Sequence, residues 1–193
     1  MSETFALPGF VDPVADAQRA FRAVLDAMAR PGRVMEIAGG LHPPSPLDPA
    51  TAAVALTLTD QETTVTLDVG LRAAASWLAF HAGAILVNDR ARAQFVIASV
   101  SPDLASLDAG TDEEPERSTT LILQIPGFGA GQSYRLSGPG LEAPAVLRAE
   151  GLPDGFAAAW QANHARYPRG IDIILCAGNS VAALPRSVVV EQV

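Results

Sequence analysis

The distribution of apolar and polar positions predicts a first helix at residues 14–30. Asp12 suits the N-cap and Pro13 the first helical position, while Pro31 and Gly32 end the helix. Apolar side chains recur at helical spacing and predict one apolar stripe, made of Val14, Ala17, Phe21, Leu25 and Met28.

The rest of the chain alternates between helical and extended patterns. Helices are predicted at residues 49–59, where Asp48 and Pro49 repeat the cap-and-proline start, at 71–82 and at 156–166. Strands are predicted at residues 33–37, 63–68, 84–87, 94–99, 119–125, 133–137, 145–149 and 171–176, with a hairpin-like pair at 181–184 and 187–190. The glycine-rich segment 126–131 predicts a tight turn rather than a nucleotide loop, because a strand pattern follows it. Helices spaced among buried strands imply one α/β layered domain, residues 1–193, with a mixed sheet.

The predicted helix at residues 71–82 is apolar on several sides. Its large side chains cannot share one stripe: Leu71, Trp77, Leu78 and Phe80. Such a helix is expected either within the core or at an interface. Because it carries Trp77, we take it as the first candidate for a subunit or homodimer contact. His81, one turn later, is a candidate general base, although a lone histidine on an apolar helix is more often structural.

The charge balance excludes several classes of partner. The formal net charge is −8 and the pI is near 4.7. A sequence-independent nucleic-acid binder needs a basic surface, and so does a protein that docks on anionic lipid. The acidic start, residues 1–5, has no cationic segment before an apolar run, so no secretory signal is expected. No apolar run is long enough to span a membrane. The cytoplasm is the expected compartment.

Composition also limits the chemistry. All 13 cationic side chains are arginine, so no lysine can form a pyridoxal-phosphate aldimine or serve a Walker-type phosphate loop. Cys176 is the single cysteine, which rules out an internal disulfide. His42, in a proline-rich loop, and His164, on the last predicted helix, have no evident metal-binding companion. We therefore expect neither a metal nor an organic cofactor in this chain.

Gln18 and Arg22 are the first candidate binding residues. Gln18 falls inside the apolar stripe of the first helix and Arg22 on its flank. They could hold an anion or a partner's carboxylate, because arginine binds oxyanions in a bidentate manner. The alternative is a glutamine bonded to backbone at the helix–sheet contact and an arginine that reaches into solvent.

Asp172 interrupts the apolar run at residues 171–175. A carboxylate at the start of a buried strand needs a partner, because a buried bare charge is costly. Arg169 and Arg186 are the candidate partners, and a structural ion pair is the favoured interpretation. The alternative is that Asp172, Arg169 and Arg186 recognise a ligand or another subunit.

Short motifs in a fixed order resemble those of a known family. They are Asp16-Ala17-Gln18, Phe21-Arg22, Leu25, Ala27-Met28, Pro31-Gly32, Leu56-Thr57-Leu58-Thr59-Asp60, Phe80-His81, Ala84, Gly110-Thr111, Thr120-Leu121-Ile122-Leu123-Gln124, Leu136-Ser137-Gly138-Pro139-Gly140, Tyr167-Pro168-Arg169-Gly170-Ile171-Asp172-Ile173-Ile174-Leu175 and Leu184-Pro185-Arg186. Their order, from residue 12 to the C-terminus, resembles the PhnH family, subunits of the phosphonate carbon–phosphorus lyase. Ser187 and Arg169 are small departures from the family pattern.

The resemblance implies more than composition can. It implies a subunit of the carbon–phosphorus lyase core complex, with partner subunits of the G, I and J types. That complex uses ATP as a co-substrate with an alkylphosphonate and displaces adenine, acting as a ribose 1-methylphosphonate 5-triphosphate synthase. A separate radical S-adenosylmethionine subunit then breaks the carbon–phosphorus bond. The implied fold is a three-layer αβα arrangement similar to the pyridoxal-phosphate-dependent transferases, without their cofactor site.

Three functional hypotheses follow. The chain is a non-autonomous transferase subunit that is inactive alone, a scaffold subunit without a ligand, or an independent small-molecule transferase. The motifs favour the first hypothesis, with a homodimer expected when the chain is alone. No catalytic residue is assigned.

Overall fold

The computed structural model describes residues 7–37 and 39–193, so the acidic residues 1–5 considered for a signal sequence lie outside the described part. The helices are α1 (Pro13–Ala29), α2 (Pro49–Leu58), α3 (Ala75–Ala82) and α4 (Phe156–His164). The strands are β1 (Met35–Glu36), β2 (Thr64–Leu67), β3 (Ile85–Leu86), β4 (Phe95–Ala98), β5 (Thr120–Gln124), β6 (Phe128–Ser137), β7 (Ala145–Ala149), β8 (Asp172–Ala177), β9 (Ser180–Leu184) and β10 (Val189–Gln192). Short 3-10 helices lie at Val69–Ala74, Arg90–Arg92, Leu104–Ser106 and Pro115–Arg117.

A mixed sheet forms the middle layer, in the strand order β1-β9-β8-β5-β4-β2-β3. The strands from β8 to β3 run parallel to one another, and β9 pairs antiparallel with both β8 and β1. Strands β5 and β8 are almost wholly buried, which explains their continuous apolar sequences. The predicted α/β fold with a mixed sheet is confirmed.

The two faces of this sheet are covered differently. Helices α1, α2 and α3 pack on one face around Val54, Trp77 and Ile122. The other face is covered by α4 and by a separate three-stranded antiparallel sheet, β10-β6-β7, around Trp160, Leu136 and Leu147. The third layer is thus largely β-sheet, which differs from the expected αβα arrangement. The similarity to pyridoxal-phosphate-dependent transferases stays a prediction.

Strands β9 and β10 do not form the expected hairpin. β9 continues the large sheet beside β8, whereas β10 pairs with β6 in the small sheet. The glycine-rich segment is also not a simple turn. β6 already begins at Phe128, and a bulge opposite Ala149 admits Gly129 and Gly131 with positive φ.

Helix α1 lies within one residue of its predicted bounds, and its buried face is made mainly of small residues. The Asp12 carboxylate accepts a hydrogen bond from Ala15 N, as an N-cap does. The buried side chains are Ala20, Ala23, Val24 and Ala27. These small residues allow α1 to approach α2 and β9 closely. Of the predicted apolar stripe, Val14, Phe21 and Leu25 are exposed, whereas Met28 packs partly buried against the core.

The part of the chain described here, residues 7–37 and 39–193, has no helix both long and apolar enough to cross a membrane. Within the same ranges, no three His, Cys, Asp or Glu side chains gather as a metal site requires. The expected lack of a cofactor stays a prediction.

Candidate functional site

The outer face of α1 carries an apolar stripe that faces solvent. Val14, Phe21 and Leu25 are 81%, 49% and 56% exposed. They lie within about 40° of one another around the helix axis, at ~100° per residue. We call this set the α1 stripe. Large apolar side chains grouped on one helix face tend to mark an interface rather than a solvated surface.

Gln18 and Arg22 lie exposed beside the α1 stripe. The expectation that Gln18 bonds backbone at the helix–sheet contact is wrong, because the alanine face makes that contact. Arg22 does extend into solvent. A glutamine and an arginine beside an apolar patch suit the polar part of an interface, where arginine is enriched.

The structure separates the candidates on α3. Trp77 is fully buried, and its Nε1 donates to the carbonyl oxygen of Leu7 over 3.0 Å. His81 Nε2 lies 3.0 Å from the same oxygen, which can only accept, so Nε2 carries the proton. The His81 ring also packs against Trp77 and Phe80. Trp77 and His81 therefore hold the segment before α1, and Phe80 is the exposed aromatic of this helix.

Asp172 and Arg186 form the ion pair that was expected at the start of β8. Their side chains are only 16% and 14% exposed, and Arg186 Nη2 lies 2.5 Å from Asp172 Oδ2. Arg186 Nε contacts both carboxylate oxygens at 3.2 Å, and Arg186 N donates to Oδ1 over 2.7 Å. The favoured structural pair is confirmed for Arg186.

The rest of the Arg186 guanidinium binds the neighbouring loops. Nη1 donates to the carbonyl oxygen of Pro115 over 2.7 Å, and Nη2 donates to Ser118 Oγ over 2.6 Å. The carbonyl oxygen of Arg186 lies 2.9 Å from His164 Nδ1 on α4. With its donors engaged in this way, Arg186 joins four segments and is not poised to bind a ligand.

Arg169 does not share this network. Its Nε lies 3.1 Å from Asp112 Oδ1 but lacks hydrogen-bond alignment, and the pair is 41% and 71% exposed. Asp172 is therefore not the partner of Arg169.

His42 is exposed in its loop. Cys176 is fully buried, and burial raises the pKa of its thiol, so it is not a nucleophile.

Two open clefts flank the segment 88–94, which crosses β2 between β3 and β4. One, of about 550 Å³, lies at the amino ends of β2 and β4 and includes Arg92 and Arg117. The other, of about 490 Å³, lies at the carboxyl ends of β2 and β3 and includes Arg72 and Arg90. Neither cleft could be predicted from the sequence, because its arginines lie far apart in local pattern and share a cleft only through the order of the strands.

Comparison with known proteins places the chain among its relatives. Residues 8–191 match the family described as bacterial phosphonate metabolism protein (PhnH). The chain belongs to the PhnH family. It is 39% identical over 188 residues to the alpha-D-ribose 1-methylphosphonate 5-triphosphate synthase subunit PhnH of Rhizobium meliloti (strain 1021), with 95% of this chain and 94% of that protein covered. It is 33% identical over 172 residues to the putative C-P lyase subunit protein HtxG of Stutzerimonas stutzeri, with 88% and 83% covered.

Several motifs that carried the PhnH resemblance meet in space. The segment 167–175 supplies Asp172, and the segment 184–186 supplies Arg186, which pairs with it. Within the first segment, the backbone of Ile171 exchanges two hydrogen bonds with the Asn163 side chain on α4. Gly140 approaches the end of α1 so closely that a Cβ would collide with the carbonyl oxygen of Ala29. These contacts join the PhnH motifs to the end of α1, to α4 and to one another.

Proposed function

We propose that this chain is a subunit of a carbon–phosphorus lyase assembly that makes ribose 1-methylphosphonate 5-triphosphate, and that it acts through contacts with other subunits. Membership of the PhnH family and the printed names of two relatives support this proposal. The proposed partners are subunits of the G, I and J types, in the cytoplasm, with ATP as a co-substrate of the assembly. The chain alone is then inactive.

The observation that carries the proposal is the exposed α1 stripe. A helix in a self-sufficient protein usually buries its large apolar side chains, but in α1 Val14, Phe21 and Leu25 are exposed, and the buried face is mainly alanine. Full burial of one such side chain stabilises by about 2 kcal/mol. Given their exposures, covering Val14, Phe21 and Leu25 would contribute about 1.5, 1 and 1 kcal/mol. A subunit contact is the use of this surface that agrees with the relatives' names.

Co-purification tests this assignment. The tagged chain is co-expressed with the G, I and J subunits, and the recovered subunits are quantified by native mass spectrometry. The double variant Phe21→Ala, Leu25→Ala should weaken the affinity for the partner subunits about thirtyfold, corresponding to about 2 kcal/mol. Recovery of those subunits should fall accordingly. Val100→Ala is the matched control, because Val100 is an exposed apolar residue outside α1. Recovery equal to that of the unsubstituted chain would show that the α1 stripe is not part of the interface.

A parallel variant tests the earlier expectation for α3. Phe80→Ala alters the exposed aromatic of that helix without touching buried Trp77. If Phe80→Ala rather than the α1 variant prevents recovery, α3 provides the contact. The expected homodimer can be followed with the same variants by light scattering of the chain alone. Turnover of ATP with methylphosphonate by the chain alone would contradict the subunit assignment and favour an independent transferase.

A further inference from the structure

The cleft at the carboxyl ends of β2 and β3 has the position of a ligand site. Its walls come from the residues that follow β2, Asp68 and Val69, and from those that follow β3, Asn88 to Ala91. In open α/β sheets, ligands bind in crevices outside the carboxyl ends of the strands. Here the chain leaves β2 for β3 on one side and then returns across β2 to β4 on the other. That change of direction opens the crevice.

Two arginines line this cleft. Arg72 enters from the 3-10 helix after β2, and Arg90 from the segment after β3. Neither forms an ion pair with any described residue, unlike Arg117 and Arg186. A guanidinium presents a planar fork of donors that matches two oxygens of a phosphate-type group. The Asn88 side-chain amide adds a neutral donor at the wall, whereas the Ser106 hydroxyl already donates to the carbonyl oxygen of Asp103 over 2.6 Å.

The two carboxylates of the cleft have other partners. Asp68 accepts hydrogen bonds from Leu71 N, Ser99 N, Ser99 Oγ and Val100 N, at 2.6 to 3.2 Å. Asp89 accepts one from Ala91 N at 3.0 Å. Both groups thus hold the backbone of the walls, and neither pairs with an arginine of the cleft. Their charge still opposes an anion, so we expect modest affinity that falls with added salt.

The neighbouring cleft is a useful contrast. It also contains two arginines, Arg92 and Arg117, but Glu62, Asp108 and Glu114 line it as well. Glu114 already pairs with Arg117 at 2.9 Å. With that pair set aside, two carboxylates remain against the one guanidinium of Arg92, which disfavours an anion there. The two clefts therefore differ in charge although they lie on the same segment.

We propose that Arg72 and Arg90 form a binding site for a phosphate-type oxyanion, such as the phosphoryl or phosphonyl group of a small ligand. Asn88 adds an amide donor, and Asp68 holds the segment that carries Arg72 through its hydrogen bond from Leu71 N. This inference does not rest on the proposed subunit role, because the isolated chain is sufficient to test it.

Titration calorimetry of the isolated chain with inorganic pyrophosphate at low ionic strength is the direct test. Arg72→Gln and Arg90→Gln should each weaken binding at least about tenfold, which is about 1.4 kcal/mol. Arg148→Gln is the matched control, since Arg148 is exposed, forms no ion pair with a described residue and lies outside the cleft. Both cleft arginines are exposed, so their variants should keep the melting temperature of the unsubstituted chain.

Separate titrations with methylphosphonate and with ATP distinguish the sources of the oxyanion. Arginine-dependent binding of any of the three probes supports the site, and tighter binding of ATP would show that the nucleoside adds contacts. Equal weakening by Arg148→Gln would mean a diffuse charge effect and would overturn the proposal. Failure of all three probes to bind would also overturn it.

Discussion

Replacing Arg186 with alanine should cost the chain much of its stability, because this side chain is the centre of a nearly buried polar network. The change removes three guanidinium contacts to Asp172 and the donors to Pro115 and Ser118. It leaves a carboxylate that is only 16% exposed without its cation. Breaking a buried pair from one side typically costs about 3–5 kcal/mol.

The lower part of that range applies here. Arg186 N donates to Asp172 Oδ1 through the backbone, and this hydrogen bond survives in the alanine variant. We therefore expect a loss of about 3 kcal/mol in the free energy of unfolding. For a chain of this size, ~1 kcal/mol shifts the melting temperature by about 2–4 °C, so the expected fall is about 6–12 °C. Urea unfolding and thermal melts followed by circular dichroism measure both quantities.

Arg169→Ala is the matched control for this variant. Its partner Asp112 is 71% exposed and the contact lacks hydrogen-bond alignment, and pairs with an exposed member contribute about 0–1 kcal/mol. A double-mutant cycle with Asp172→Ala then isolates the pair. Removing Asp172 from the Arg186→Ala variant should recover part of the loss, because no orphaned carboxylate remains. The reasoning fails if the two single losses simply add, or if Arg169→Ala costs as much as Arg186→Ala.

Three further predictions concern groups inside the fold. Cys176 should resist a disulfide reagent at about pH 8 until urea unfolds the chain, because burial raises the pKa of its thiol; fast modification of the native chain would contradict this. Burial likewise raises the pKa of Tyr134, so its contribution to stability is present below about pH 10 and is lost as the pH rises through the folded-state value. Tyr134→Phe should therefore flatten the alkaline fall in urea stability, and an unchanged fall would argue against this origin. Gly140→Ala should lower the melting temperature more than Gly129→Ala, since both have positive φ but only Gly140 faces a backbone carbonyl, that of Ala29; equal losses would refute the contact argument.

Local signals in the sequence located most elements of the fold. Asp12 and Pro13 fixed the start of α1, and the predicted bounds of β7, residues 145–149, match the structure. The similar signal at Asp48 was misleading in detail. α2 does begin at Pro49, but the Asp48 side chain makes no cap bond and instead accepts from Gly178 N over 3.1 Å. The Asp48 side chain thus binds the distant backbone of Gly178 instead of capping its own helix.

Long-range pairing could not be read from local pattern. Nothing in segments 181–184 and 187–190 indicates that they join different sheets, because a buried strand has the same apolar sequence beside any neighbour. The Asp172–Arg186 pair was predictable because a carboxylate in an apolar strand demands a cation. The choice of Arg186 over Arg169 was not, since it depends on the path of the loop after β9.

The α1 stripe shows why an apolar pattern alone does not identify the helix face that is buried within the chain. Helical periodicity identifies which side chains share a face, but it does not say which neighbour covers that face. In α1 the alanine side lies about 150° from Val14 around the axis and is the side that meets α2 and β9. Alanine there permits close helix–sheet contact, while Phe21 and Leu25 would hold the helix away from the sheet. This orientation places small residues in the chain's own core and leaves Val14, Phe21 and Leu25 exposed, as the proposed subunit contact requires. The variant Ala27→Leu enlarges the buried face and leaves the α1 stripe intact. It should lower the free energy of unfolding, and the folded variant should still recover the partner subunits.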